Sequence, residues 1–179
     1  MLLAVLGDSL TAGFPFGEKV SWLSVLSERL GVKSLNYGVC GETTADMKFR
    51  AKRILENGEL THFIMFGGAN DVILAARAAS DIARDTAAIQ KMALDRKLRV
   101  GCVLPLVSAA EIFAGDFMAL RDSVRGASLP GVLTIDLQKA LPAADNPLNY
   151  LDDGVHLTVR GNEALGLYAA RLLKDWLRE

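Results

Sequence analysis

Ser9 and His156 are the two residues of this 179-residue chain whose types are best suited to do chemistry together. A serine hydroxyl is a weak nucleophile until a base takes its proton, and an imidazole base needs a third group to fix its tautomer. The run Asp153-Gly154-Val155-His156 supplies an acid three residues before the base. Side chains at that spacing in a turn can lie on one side, so Asp153 can reach one ring nitrogen while the other faces Ser9. Asp152 is the neighbouring rival for the acid. The second histidine, His62, opens an apolar run without a partner pattern, which points to a structural or surface role. Acyl transfer is the chemistry these three residue types support.

Such chemistry also needs donors aimed at a developing oxyanion. Two segments offer them. The run Asn36-Tyr37-Gly38-Val39-Cys40-Gly41-Glu42-Thr43-Thr44 has a glycine, Gly38, whose backbone amide can point into a site, and Gly67-Gly68-Ala69-Asn70-Asp71 offers the side-chain amide of Asn70. Taken singly, each has a plainer explanation: Ser9 as a cap, the glycines as turn formers, Asn-Asp as a helix start. Asp8 and Asp71 flank the candidate nucleophile and donor and read as makers of loop-stabilising hydrogen bonds. Gly-x-Ser-x-Gly is missing, so the usual elbow of α/β-hydrolases has no support. The residues after Ser9 carry Phe14 and Phe16, expected to wall a substrate pocket, with further walls expected from residues 105–117 and 142–151.

The elements that must position these residues alternate along the chain. Short apolar runs at 2–6, 34–39, 61–66, 100–104 and 132–136 read as parallel strands buried on both faces. Helical patterns fall at 21–30, 44–56, 80–96 and 116–126, and a last one, capped by Thr158, places Leu165, Tyr168, Ala169, Leu172, Leu173 and Trp176 on one stripe. Five strands alternating with helices imply an α/β fold with a doubly wound parallel sheet and right-handed crossovers, in one domain spanning 1–179. Ligands in such sheets bind beyond the carboxyl ends of the strands. Ser9, Gly38 and Asn70 follow or end the first three strands and so converge on that rim.

Composition narrows the partners. A net charge of −1 with scattered Lys and Arg argues against nucleic acid and anionic membranes. Two cysteines, Cys40 and Cys102, both in apolar surroundings, read as buried free thiols and a reduced, cytoplasmic setting. The apolar start has no basic leader, and no run approaches the roughly 20 residues of a membrane span. Two histidines and no carboxylate cluster predict no metal, and without a Gly-x-Gly-x-x-Gly or phosphate loop no cofactor is expected. The expected partner is a small-molecule ester, and the oligomeric state stays open.

Taken together, Gly7-Asp8-Ser9-Leu10, the Asn36–Thr44 segment, Gly68-Ala69-Asn70-Asp71 and Asp153-Gly154-Val155-His156 resemble, in order, the four blocks of the SGNH hydrolases, the Gly-Asp-Ser-Leu esterases and lipases. The resemblance implies a three-layer α/β/α sandwich with a flavodoxin-like five-stranded parallel sheet in the order 2-1-3-4-5. It also implies Ser9 as nucleophile, His156 as base and Asp153 as its orienting acid. Its oxyanion donors would be the Ser9 and Gly38 amides and the Asn70 side chain. The implied reaction is hydrolysis of carboxylic esters, with thioesters or lysophospholipids as alternatives; the short chain, with little room for an elaborate lid, favours short-acyl or acetyl esters among them. A flavodoxin-like binding module without turnover is the rival outside enzymology, and a phosphoacceptor or flavin-binding domain is a third.

Overall fold

The computed structural model describes residues 1–107, 113–141 and 148–178. Five parallel strands, β1 (Leu2–Gly7), β2 (Lys33–Gly38), β3 (His62–Phe66), β4 (Arg99–Val103) and β5 (Val132–Ile135), form one sheet. Its order is β2-β1-β3-β4-β5, the order the family resemblance implies. Each strand lies within a residue or so of its expected position. The helices are α1 (Ser9–Ala12), α2 (Trp22–Leu30), α3 (Thr44–Ile54), α4 (Ala69–Ile73), α5 (Ala79–Asp95), α6 (Ala114–Gly126) and α7 (Val159–Leu173). The short helices α1 and α4 are additions that the sequence pattern does not announce, since four or five residues cannot display a helical period.

Strand pleating divides the core in two. Leu3 and Val5 of β1 point to one face, with Ile64, Phe66 and Val103, and are covered by Trp22, Leu23 and Leu26 of α2 and by Leu165, Ala169 and Leu173 of α7. Ala4 and Leu6 point the other way, with Phe63, Met65 and Cys102, beneath Met47 of α3, Ile82 and Ile89 of α5 and Leu120 of α6. The all-apolar strand runs are thus explained by two covered faces. Thr158 caps α7 as expected, its hydroxyl accepting from the Gly161 amide at 3.0 Å. The stripe of α7 differs from the expected one: Leu172 is 47% exposed, while Asn162, Gly166 and Ala170 are buried. The glycine explains the rotation. A Cβ at Gly166 would sit 2.6 Å from the Trp22 carbonyl oxygen, so α2 and α7 approach each other through a side-chain-free patch.

Candidate active site

The site is built at the carboxyl ends of β1, β2 and β3. Chain reversal after β1 begins at Asp8, whose Oδ1 accepts from the Leu10 amide at 3.0 Å and caps α1. This presents Ser9 at the first turn of α1, with its own N–H donating to no acceptor among the described residues. Asp8 itself is buried, and its Oδ2 has no hydrogen-bond partner among them. Burial, only partly offset by the Leu10 amide and by the charge of His156, pushes its carboxyl up to about 7.

From the other end of the chain, residues 149–158 form a closed loop. The Leu151 amide donates to the His156 carbonyl at 2.8 Å and the Thr158 amide to the Asn149 carbonyl at 2.9 Å, with an antiparallel bridge between Tyr150 and Leu157. Inside it, Asp153 Oδ1 accepts from the Val155 and His156 amides at 2.8 and 2.9 Å, which turns Oδ2 onto His156 Nδ1 at 2.6 Å. His156 Nε2 then stands 2.9 Å from Ser9 Oγ. Burial works to raise the Asp153 carboxyl, but the bonds from the His156 ring and the two amides outweigh it and hold it below the ordinary aspartate value. An ionised Asp153 accepts a hydrogen bond from Nδ1–H, which fixes the tautomer and leaves the Nε2 lone pair to receive the Ser9 hydroxyl proton. Asp152 makes none of these contacts. His62, by contrast, is buried between the Thr61 hydroxyl at 2.8 Å and the edge of Trp176, a structural position.

A cavity of about 410 Å³ opens over this pair. Ser9, Asn70, Gly41 and His156 line it, and its walls are Phe14, Ile73, Leu74, Phe113 and Val155. The Phe14 ring lies 4.7 Å from the imidazole, centre to centre. Phe16, expected beside it, does not line the cavity and is half exposed. Of the expected walls, the segment after Ser9 contributes Phe14 and 105–117 contributes Phe113. Residues 108–112 and 142–147 lie outside the described residues. The wall from α4, Ile73 and Leu74, has no counterpart among the expected ones, because α4 is too short to show a period. A larger cleft of about 670 Å³ lies between α2 and α7 around Lys19, Glu28, Arg29 and Glu163. It contains neither Ser9 nor His156.

The expected donors need one correction. The Gly38 amide is already bonded to Asn36 Oδ1 at 2.9 Å, and Gly38 does not line the cavity. Its lack of a side chain serves packing instead: a Cβ there would meet the Ala12 nitrogen at 2.2 Å. Gly41 faces the cavity instead, at φ +82°, with an N–H bonded to no acceptor among the described residues. Two glycines three residues apart cannot be told apart without knowing what packs against each. Asn70 does line the cavity, one amide proton of Nδ2 going to the Glu42 carbonyl at 2.9 Å. The following residue, Asp71, is fully buried and accepts from the Thr44 amide and hydroxyl, both at 2.8 Å, and from Arg77 at 2.5 Å. Asp8 and Asp71 are thus loop-holding residues, as expected. Cys40 departs from expectation in being exposed at the cavity, whereas Cys102 is buried and its thiol pushed up to about 12 by that burial.

Residues 5–164 match the family model described as the GDSL-like Lipase/Acylhydrolase family. The chain belongs to that family. Solved structures agree in fold. A G-D-S-L family protein from Desulfitobacterium hafniense DCB-2 superposes with a TM-score of 0.86 at 22% identity, over 96% of this chain and 99% of that one. The psychrotrophic esterase EstA from Pseudoalteromonas sp., inhibited by monoethylphosphonate, gives 0.79 at 17% over 99% of both chains. An acetyl xylan esterase, AlAXEase, gives 0.78 at 20% over 95% and 99%. No curated protein sequence matches the chain. Membership of the GDSL-like family makes ester hydrolysis the activity class, and among the described residues no helix is long and apolar enough to cross a membrane.

Proposed function

We propose that this protein is a cofactor-independent serine esterase that works through an acyl-enzyme on Ser9. His156 Nε2 takes the hydroxyl proton as Ser9 Oγ attacks the ester carbonyl, and Asp153 compensates the imidazolium that forms. The oxyanion is received by the Ser9 and Gly41 amides and by Asn70 Nδ2, with Gly41 in the role first expected of Gly38. His156 returns the proton to the leaving alcohol and then activates the water that releases the acid. The observation that carries this reading is the chain of contacts from Asp153 to His156 to Ser9, at 2.6 and 2.9 Å, opening on an apolar cavity. A flavodoxin-like binding module would have no use for a base aligned on a hydroxyl.

The substrate we propose is a neutral ester with a short acyl group, and the apolar walls of Phe14, Ile73 and Phe113 support an apolar one. A second reading, a longer-chain acylhydrolase or thioesterase, is favoured by Leu74, which is 68% exposed at the same cavity and can extend an apolar track outward. Exposed, free Cys40 supports a reducing, cytoplasmic setting. The test is hydrolysis of p-nitrophenyl esters from acetate to palmitate by wild type and Ser9→Ala. Ser9→Ala is expected to lose about 10⁴ to 10⁶ in kcat, and the chain-length optimum separates the two readings. Equal turnover by both proteins overturns the mechanism.

A further inference from the structure

Outside the cavity lining, one arginine holds together the loop that carries Gly41. Arg50 lies on α3 and does not line the cavity. Its Nε reaches the Glu42 carboxylate at 2.8 and 3.1 Å and its Nη2 reaches the same carboxylate at 2.6 Å, a two-pronged contact. Nη2 also donates to the Tyr37 carbonyl at 2.8 Å. Arg50 therefore grips both ends of the β2–α3 connection, Tyr37 at the end of the strand and Glu42 just before the helix cap. Between these anchors sits Gly41, in a left-handed conformation within a turn closed by the Glu42 amide donating to the Val39 carbonyl at 3.4 Å, a long bond, and a Cβ there would meet no atom within 4 Å.

The same grip extends to Asn70. The carbonyl that accepts from Asn70 Nδ2 belongs to Glu42 itself. A planar amide with one proton committed to that carbonyl has its second proton fixed in direction. Fixing Glu42 thus sets where the Asn70 donor points, while Gly41, one residue earlier, has its amide set by the same anchor. Oxyanion donors act only when preorganised to within a few tenths of an ångström of the position the charge will occupy.

We infer that Arg50 and Glu42 are positioning residues for the oxyanion hole, holding the Gly41 amide and the Asn70 side chain in register through the Glu42 backbone. This rests on the esterase reading above. An error in the clamp affects transition-state stabilisation and leaves the apolar walls in place, so its signature is in kcat and not KM.

The experiment is steady-state hydrolysis of p-nitrophenyl butyrate by Arg50→Met, Arg50→Lys and Glu42→Gln, with Ser9→Ala and Asn70→Ala in parallel and Arg50→Met also in the Asn70→Ala background. Arg50→Met is expected to lose about 10- to 100-fold in kcat, less than the roughly 10²- to 10³-fold of deleting a donor, with KM within about 3-fold. Arg50→Lys, which keeps the charge but not the fork, is expected between Arg50→Met and wild type. In the Asn70→Ala background Arg50→Met is expected to cost several-fold less, because one donor it positions is gone. Should Arg50→Met not fold, Glu42→Gln carries the same expectation. Unchanged kcat in a folded clamp variant, a loss confined to KM, or an equal loss in both backgrounds overturns the clamp. If Ser9→Ala and Asn70→Ala also keep full turnover, the fault lies in the esterase reading and the clamp falls with it; if they lose activity, the clamp alone is wrong.

Discussion

Asp153 carries more of the geometry around His156 than its partial exposure suggests. One carboxylate oxygen organises the loop through two amides and the other fixes the imidazole, so the residue both builds the turn and selects the tautomer. Asp153→Asn can keep the loop bonds to its oxygen but presents an amide to Nδ1, favouring the wrong tautomer. A kcat loss of about 10⁴ with an unshifted melting temperature is expected, measured on the same p-nitrophenyl substrate. The two glycines of the β2–α3 connection separate by the same kind of reasoning. Gly41→Ala has room for its methyl group but must hold φ +82°, at a cost of about 1–2 kcal/mol, and relaxing that strain moves the amide. It is expected to fold and to lose at least about tenfold in kcat. Gly38→Ala drives a Cβ into the Ala12 backbone and is expected to lower the melting temperature far more. A Gly41→Ala enzyme with wild-type kcat removes Gly41 from the donors. Asp153, His156, Ser9 and Asn70 are legible in the sequence because each is a distinctive chemical type. A donor that is only a backbone N–H leaves no such mark: Gly38, at the strand end, is the natural candidate in sequence, but its amide is bonded to Asn36 and it is Gly41 that lines the cavity.

At the scale of elements, legibility follows length and burial. The central strands β1, β3 and β4 are readable because both faces of the sheet are covered there, making them nearly all apolar, whereas the edge strand β2, Lys-Ser-Leu-Asn-Tyr-Gly, is only partly buried; helices of nine or more residues show their period. Helices α1 and α4 are too short for a period, yet they carry Ser9, Asn70 and the cavity wall Ile73. The site therefore rests on the elements least visible in sequence. Helix α7 ties the two scales together through its glycines. At Gly166 a Cβ would stand 2.6 Å from the Trp22 carbonyl, and at Gly161 one would stand 2.2 Å from the Asn149 carbonyl. Both substitutions to alanine are expected to lower the melting temperature. Only Gly161→Ala pushes on the 149–158 loop, so it is also expected to reduce kcat at 25 °C, whereas Gly166→Ala keeps kcat near wild type. Melting curves and kcat for the two variants check this, and equal kcat in both would mean that the first turn of α7 does not hold the His156 loop in place.

For the molecule as a whole, the carboxyl rim of the sheet concentrates polar groups where the fold gains least from them, and Asp8 shows the consequence. Its carboxyl rises from an ordinary 3.8 to about 7 because burial disfavours the charge more than the Leu10 amide and His156 favour it. Between those two values the folded protein holds a proton that the unfolded chain has released. Stability contributed by that proton is therefore complete below about pH 4 and is lost as pH rises towards 7. At about 1.4 kcal/mol for each tenfold change in proton affinity, the loss is of the order of 4 kcal/mol above pH 7. Asp8→Asn keeps an oxygen for the Leu10 amide and has no charge to bury. The two proteins are expected to melt together near pH 3.5 and to diverge progressively towards pH 8, the variant higher there by about 5 °C or more. Taking the difference between them cancels every other titrating group, including Asp153, whose lowered value works in the opposite direction. A difference that stays flat from pH 5 to pH 8 would mean that Asp8 is charged throughout and that its unpartnered Oδ2 finds water. A rising one makes the residue beside the nucleophile a standing cost of the site, tolerated because it caps the helix that presents Ser9.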